Sequence, residues 1–138
     1  MPEILREGEH LTIVTYGSCV RYAVEASDIA SKFGIETEVV DVQTLLPFDL
    51  EHIISGSLRK TSKVLFLDED VPGGASAYMM QQVIEGQGAF KLLDGPPETM
   101  SAAEHRTPYG SDGDYYSKPQ VEDIVERIYR MVFETKMY

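Results

Sequence analysis

The sequence is poor in residues on which several common kinds of site depend. Its 138 residues include one cysteine and no tryptophan, and asparagine is absent. The single cysteine, Cys19, cannot close an intrachain disulfide or build a structural zinc site. We therefore expect a reducing, cytoplasmic setting, with Cys19 buried as a packing residue.

Long apolar runs and positive charges are also scarce. No stretch of 18 apolar residues occurs, so we expect no membrane span. Twelve Lys and Arg residues stand against 23 Asp and Glu residues, for a net charge of −11. Nucleic-acid binding requires basic residues at the phosphates, so this excess of acidic residues argues against a nucleic-acid partner. The charge is consistent with simple solubility or with a docking surface for a basic partner.

Apolar strand-like stretches alternate with amphipathic helical ones along the chain. The pattern predicts strands over residues 11–16, 37–42, 63–67 and 98–102, and helices over 19–33, 49–59 and 75–85. A final helix is predicted from the capping-box spacing of Ser117 and Gln120 and from an apolar face formed by Val121, Ile124, Val125, Ile128, Tyr129 and Val132. Helical crossovers require a mostly parallel sheet with helices on both faces. Residues 4–7 are predicted to add a short antiparallel edge strand, so the fold class is α/β.

Local signals mark the ends of these elements. Ser18 and Asp49 are predicted helix caps, and Gly34 is predicted to take the left-handed conformation that ends a helix. Ligands of such sheets bind at the carboxyl ends of the strands. The candidate ligand-edge or interface residues there are Gly17, Ser18, Glu69, Gly73, Gly74, His105, Arg106 and Tyr109, the last three in a long loop over residues 103–118.

No familiar catalytic motif is complete. The chain has neither a P-loop nor a Gly-x-Gly-x-x-Gly run. Tyr16 and Val20 occupy the glycine positions that a nucleophile elbow at Ser18 would need. Gly73 and Gly74 precede a helix, but three acidic residues come just before them, so a tight turn is favoured over an anion site.

Acidic and histidine residues offer weak candidates for chemistry. The run from Asp68 to Asp70 could hold Mg²⁺, although a solvated loop in which Glu69 caps or bridges is the favoured interpretation. His10 and His52 are interpreted as surface or packing residues. His105 lies at the expected ligand edge and is the one histidine we would test for chemistry.

The order of segments resembles the C-terminal domain of the transketolase superfamily, most closely that of the β subunit of thiamine-diphosphate-dependent 2-oxo acid dehydrogenases. The matching stretches are residues 6–8, 11–18, 38–49, 57–61, 69, 73–74, 92–97, 107–109 and the closing helix. The most specific is residues 40–49, Val-Asp-Val-Gln-Thr-Leu-Leu-Pro-Phe-Asp. The resemblance implies a three-layer α/β/α sandwich with a mostly parallel five-stranded sheet and one antiparallel edge strand.

The resemblance also implies a role. Residues 1–138 would form a single domain, excised from a longer chain, with no catalytic, cofactor or metal residues of its own. Thiamine diphosphate and Mg²⁺ would bind in other domains of the parent enzyme. The partners implied are those other domains, a symmetry-related copy, and the basic subunit-binding domain of the acyltransferase core.

Two alternatives remain open from the sequence. The parent could be a transketolase or a deoxyxylulose phosphate synthase, in which basic residues should cluster near the strand ends. The chain could instead be a free-standing receiver-like signalling domain, which would need an acidic pair after the first parallel strand, where Tyr16, Gly17 and Ser18 stand.

Overall fold

A computed structural model describes residues 2–46, 48–49, 51–69, 74–101 and 121–134. The strands in this part are β1 (Glu3–Arg6), β2 (Leu11–Thr15), β3 (Thr37–Asp41), β4 (Val64–Leu67) and β5 (Glu98–Met100). The helices are α1 (Cys19–Ser31), α2 (Ile53–Thr61), α3 (Ala75–Gln81) and α4 (Val121–Phe133), with a π-helical turn (Gln82–Gly86) and a 3-10 turn (Ala89–Leu92) after α3. Within these residues, no helix is both long and apolar enough to cross a membrane.

The strands form one mixed sheet in the order β1-β3-β2-β4-β5. β2 pairs in parallel with β3 and with β4, and β4 pairs in parallel with β5. β1 runs antiparallel to β3, with a register shift between Ile4 and Arg6. The predicted five-stranded, mostly parallel sheet with an antiparallel edge strand is confirmed.

Two hydrophobic cores lie on opposite faces of this sheet. Because strand side chains alternate between faces, Leu11 and Ile13 of β2 join the core under α1 and α4, whereas Val14 joins the core under α2 and α3. The same alternation separates Leu65 from Phe66 in β4. The predicted three-layer α/β/α architecture is therefore confirmed.

The helix ends test the local sequence signals. Gly34 has φ +86 beyond α1, as predicted. The Asp49 carboxylate accepts hydrogen bonds from the amides of Ile53 at 2.8 Å and Ile54 at 2.9 Å, so it does cap α2. The cap predicted at Ser18 is wrong, since its side chain makes no capping bond and its backbone is already helical, with φ −68 and ψ −21.

Candidate functional site

The carboxyl ends of the parallel strands meet along one edge of the sheet, which we call the carboxyl edge. The strand order places the loop after β2 beside the loop after β4. Gly17 and Ser18 lie in the first of these loops, and Glu69 and Gly74 lie in the second. The structure thus brings four of the predicted site residues to one edge. The remaining four, Gly73, His105, Arg106 and Tyr109, lie outside the described residues.

An open depression of about 550 Å³ lies at the ends of β2 and β3. Its lining residues are Gly17, Ser18, Val20, Arg21, Asp41 and Gln43. Gly17 has φ +68, a conformation that favours glycine, and its carbonyl accepts a hydrogen bond from the Val20 amide at 3.2 Å. The described lining residues offer one guanidinium and one carboxylate, so by themselves they give no strong preference for charge of either sign.

Gln43 is a lining residue that the sequence interpretation missed. It adopts φ +69, which is uncommon for a residue other than glycine. The Asp41 carboxylate accepts a hydrogen bond from the Gln43 amide at 3.1 Å, and the Gln43 side chain donates to Glu3 at 3.2 Å. The available signal was the aspartate two residues earlier, because Asp side chains form such local turns.

Asp68 occupies a different environment from the one predicted. The solvated acidic loop is wrong for this residue, which is 1% exposed at the end of β4. Its carboxylate accepts a hydrogen bond from the Ser76 amide in the first turn of α3 at 2.5 Å. The cap predicted for Glu69 is therefore made by Asp68, and Glu69 is exposed.

Further buried polar atoms lie at the carboxyl edge. The hydroxyl oxygens of Thr15, which ends β2, and Ser101, which follows β5, are buried without a hydrogen-bond partner in the described part of the chain. No three His, Cys, Asp or Glu side chains among the described residues lie close enough to hold a metal ion. The edge is polar, but the described residues do not assemble a recognisable catalytic group.

A second polar cluster lies at the opposite end of the sheet. Glu38 of β3 is fully buried, and one of its carboxylate oxygens accepts hydrogen bonds from Lys60 Nζ at 2.6 Å and the Gly8 amide at 3.0 Å. The hydrogen bond to Glu38 raises the pKa of Lys60 above its ordinary value of 10.5. This cluster joins α2 to the β1–β2 connection.

The cysteine and the two described histidines considered from the sequence lie in the core or at the surface. Cys19 is 1% exposed within the α1–α4 core, which confirms its predicted packing role. His10 and His52 are exposed, as predicted for surface residues. His52 lies just before α2 with φ +57, rather than inside the helix.

Residues 2–124 match the family model "Transketolase, C-terminal domain". The chain belongs to this family. The match covers most of the described residues and agrees with the α/β topology above. The resemblance to the transketolase C-terminal domain that we inferred from the sequence is therefore confirmed.

Curated relatives of this transketolase C-terminal domain are enzyme subunits. The mitochondrial pyruvate dehydrogenase E1 component subunit beta-2 of Oryza sativa subsp. japonica is 36% identical over 132 residues, which are 95% of this chain and 34% of the relative. The corresponding beta subunit of Bos taurus is 36% identical over 124 residues, 89% of this chain and 34% of the relative. The chain thus spans about a third of the length of these relatives.

Solved structures show the same fold. A structure described as a split gene transketolase, inactive beta4 tetramer, superposes with a TM-score of 0.74 at 22% identity, covering 99% of this chain and 43% of that one. A 2-oxoglutarate:ferredoxin oxidoreductase from Magnetococcus marinus superposes with a TM-score of 0.63 at 16% identity, covering 96% and 19% of the two chains. At these identities the similarity concerns the fold alone.

Proposed function

We propose that this transketolase C-terminal domain is the non-catalytic assembly domain of the decarboxylating component of a 2-oxo acid dehydrogenase complex, of the pyruvate or branched-chain type. Its work would be dimerisation with a symmetry-related copy and docking of the basic subunit-binding domain of the acyltransferase core. The observation that carries the proposal is the 36% identity to a pyruvate dehydrogenase β subunit over 95% of this chain but only 34% of that subunit. The chain would be one domain of a longer, cytoplasmic enzyme.

The two cores support the view that residues 1–138 are one independent folding unit. Each face of the sheet is covered by its own pair of helices, and the described central strands β2 and β4 are buried along their whole length. A domain with its own core can fold without its neighbours. Because its fold does not depend on contacts with other domains, its surface residues can bind other domains or subunits of a larger enzyme.

The surface supports assembly. Large apolar side chains are exposed at several places, led by Leu46 at 78%, Phe90 at 66% and Phe33 at 61%. On α4, the exposed Tyr129 and Phe133 rings pack against each other with centroids 4.8 Å apart. The net charge of −11 favours a basic partner through complementary potentials.

Thiamine diphosphate and Mg²⁺ are the cofactors we assign to the parent enzyme, where they would supply the decarboxylation chemistry. The described residues of this domain do not fit them, since their His, Cys, Asp and Glu side chains form no metal-binding group. The sequence also has no asparagine, the residue that completes the Mg²⁺ shell in the thiamine-diphosphate motif of such enzymes. We therefore assign the cofactors to other domains. That this domain binds none stays a prediction.

The charge of the carboxyl edge favours this parent over a transketolase or a deoxyxylulose phosphate synthase. A sugar-phosphate site needs several donors and positive charges around the phosphate. Among the described residues, the depression there is lined by one basic residue, Arg21, together with the carboxylate of Asp41. Family membership likewise favours an enzyme domain over a receiver-like signalling domain.

Calorimetry tests the non-catalytic assignment. The 138-residue chain is titrated with thiamine diphosphate in the presence of Mg²⁺, and the same titration is repeated with a complete β-subunit-containing dehydrogenase as the positive control. We expect no specific heat of binding to the isolated chain. Saturable micromolar binding would contradict the proposal, because it would require a cofactor site within this domain.

A further inference from the structure

A second concave surface lies away from the carboxyl-edge depression and shares no lining residue with it. It is a groove of about 550 Å³ between α3 with its following π-helical turn and the edge strand β5, and we call it the α3 groove. Its lining includes Met80, Ile84, Glu85, Phe90, Pro97 and Thr99. The groove is mostly apolar, as pockets for organic groups usually are.

The walls of the α3 groove differ in how firmly they are held. Met80 and Ile84 are half-buried and pack against the α2–α3 core, so they form a supported floor. Phe90 stands at the rim with 66% of its surface exposed. A flexible thioether beside an exposed aromatic ring is a surface that adapts to aliphatic side chains. The groove is therefore suited to an apolar group that enters from solvent.

The neighbouring edge of the sheet limits how an occupant can bind. The guanidinium of Arg127 in α4 donates a hydrogen bond to the Thr99 carbonyl at 3.2 Å and another to Glu98 at 3.1 Å. The Thr99 carbonyl is thus already bonded. Because strand addition at this carbonyl would have to displace Arg127, we expect an occupant of the groove to bind mainly through its side chains.

The negative charge of Glu85 indicates which kind of side chain an occupant of the groove should carry. Among the described residues that line the groove, Glu85 is the one that carries a charge; it is exposed and forms no ion pair with another described residue. A guanidinium or ammonium group at the rim could meet both the Glu85 carboxylate and the Phe90 ring face. We propose that the α3 groove binds a segment of another polypeptide in which Arg or Lys stands next to aliphatic side chains.

Binding in the α3 groove does not depend on the proposed assembly function, so the two can be tested separately. It is tested by NMR on the full chain labelled at its methionine methyl groups. The probes are two acetylated and amidated pentapeptides, GLRLG and GLELG, which differ in the sign of one charge. Met80 reports on the groove, and Met131, a buried residue of α4 on the other face of the sheet, is the internal reference.

We expect GLRLG to shift the Met80 methyl signal saturably while Met131 stays unchanged, and GLELG to bind at least about fivefold more weakly. Glu85→Lys should reverse the preference between the peptides, and Phe90→Ala should weaken GLRLG. Glu122→Lys makes the same charge change on α4, outside the groove lining, and should leave both affinities unaltered. Circular dichroism confirms that each variant is folded.

Three results would overturn the proposal. The first is the absence of a saturable Met80 shift with either peptide. The second is equal binding of GLRLG and GLELG, which would remove the role of Glu85. The third is a Met80 shift that depends on protein concentration alone and disappears in Phe90→Ala, since a second copy of the chain would then fill the groove.

Discussion

Glu38 shows how one residue can join several elements of this fold. Its carboxylate is fully buried, yet only one of its two oxygens has hydrogen-bond partners in the described part of the chain. Those partners, Lys60 and Gly8, belong to α2 and to the β1–β2 connection. A buried carboxylate that loses its cation is strongly unfavourable, so the stability of this end of the sheet should depend on Lys60.

The first prediction concerns Lys60→Met, which keeps the aliphatic stem and removes the charge. We expect the free energy of unfolding to fall by about 1–2 kcal/mol at pH 7, below the cost for a fully buried pair because the Lys60 side chain is 42% exposed. Urea denaturation measures the loss. Lys32→Met is the matched control, since Lys32 is exposed and should change stability by less than about 0.5 kcal/mol.

The same pair predicts a pH dependence. The hydrogen bond to Glu38 raises the pKa of Lys60 above 10.5 in the folded protein. A raised folded-state pKa gives stabilisation that is complete below the unfolded-state pKa and is lost as the pH rises through the folded-state pKa. The stability difference between wild type and Lys60→Met should therefore shrink above pH 10.5. A constant difference between pH values on either side of that point would contradict the assignment.

Gly8 leads to a second prediction at this scale. A Cβ atom built on Gly8 would lie 2.4 Å from the Thr37 carbonyl carbon and 2.6 Å from the Glu36 carbonyl oxygen. Because backbone cannot yield as a flexible side chain does, Gly8→Ala should destabilise the protein by about 1–3 kcal/mol.

A matched control for Gly8→Ala is available inside α2. Gly56 has nothing within 4 Å of the position that an alanine methyl group would occupy, and it is exposed in the helix. Gly56→Ala should therefore raise stability by about 0.5–1 kcal/mol through helix propensity. Parallel urea titrations compare the two variants. Equal stability of Gly8→Ala and wild type would show that the Gly8 backbone is not tightly packed.

Single residues were predictable where the signal is local. Gly34 and Asp49 behave as the sequence indicated, because a left-handed helix end and a cap depend on a few neighbouring residues. Asp68 was expected in a solvated loop but is buried and accepts a hydrogen bond from the Ser76 amide. Local signals missed this because Ser76 lies eight positions away and the burial of Asp68 depends on the sheet. Ser18 failed because its backbone continues the helix.

At the scale of elements, α2 is tied to the segment that follows α3. The Gln87 side-chain amide donates a hydrogen bond to the Asp49 carboxylate at 2.9 Å, while that carboxylate also accepts the Ile53 and Ile54 amides. The Ser55 hydroxyl donates a hydrogen bond to the side-chain carbonyl oxygen of Gln87. Asp49 therefore caps one helix and positions the end of another element at the same time.

This arrangement predicts the effect of Asp49→Ala. Two helix amides and the Gln87 amide would lose their acceptor, and alanine tolerates the positive φ of residue 49 poorly. We expect a loss of about 2 kcal/mol in the free energy of unfolding, measured by urea denaturation.

Asp49→Asn separates these contributions. Asparagine keeps one side-chain oxygen and tolerates the left-handed region. The loss of unfolding free energy in Asp49→Asn should therefore be about half of the loss in Asp49→Ala. If Asp49→Ala unfolds at the same urea concentration as wild type, the capping role of Asp49 is contradicted. If Asp49→Asn is as unstable as Asp49→Ala, the carboxylate charge rather than the cap is decisive.

The elements themselves were largely predictable, and the exceptions have physical causes. α4 carries apolar residues at helical spacing, and Ile124 and Ile128 are buried as that spacing indicates, whereas Tyr129, expected on the same face, is 48% exposed. The helix predicted over residues 75–85 instead becomes a π-helical turn after Gln81. A π turn inserts one residue into the helical ladder, and apolar periodicity does not reveal it.

For the whole molecule, the topology followed from the alternation of strands and helices, whereas the family followed from particular stretches such as residues 40–49. The carboxyl edge was predicted as the place to search, and the described loop residues Gly17, Ser18, Glu69 and Gly74 do meet there. The depression at that edge was not predicted, because Arg21 and Asp41 come from different elements. Neighbours in space from separate elements depend on strand order, which the periodicity of one segment does not contain.

The charge of the whole molecule bears most directly on its proposed role. An excess of 11 negative charges gives a surface potential that a basic docking domain would reduce on binding. Such binding should be faster and tighter at low ionic strength, because salt screens charges over roughly 10 Å at 0.1 M. Simple solubility predicts no saturable complex at any salt concentration.

Docking of a basic partner is therefore tested by titrating the 138-residue chain with the basic subunit-binding domain of a 2-oxo acid dehydrogenase acyltransferase and measuring the dissociation constant by calorimetry. We expect a saturable complex whose dissociation constant rises on the order of tenfold between about 20 mM and 200 mM salt. The absence of saturable binding at the lower salt concentration would contradict the assignment of this domain to assembly.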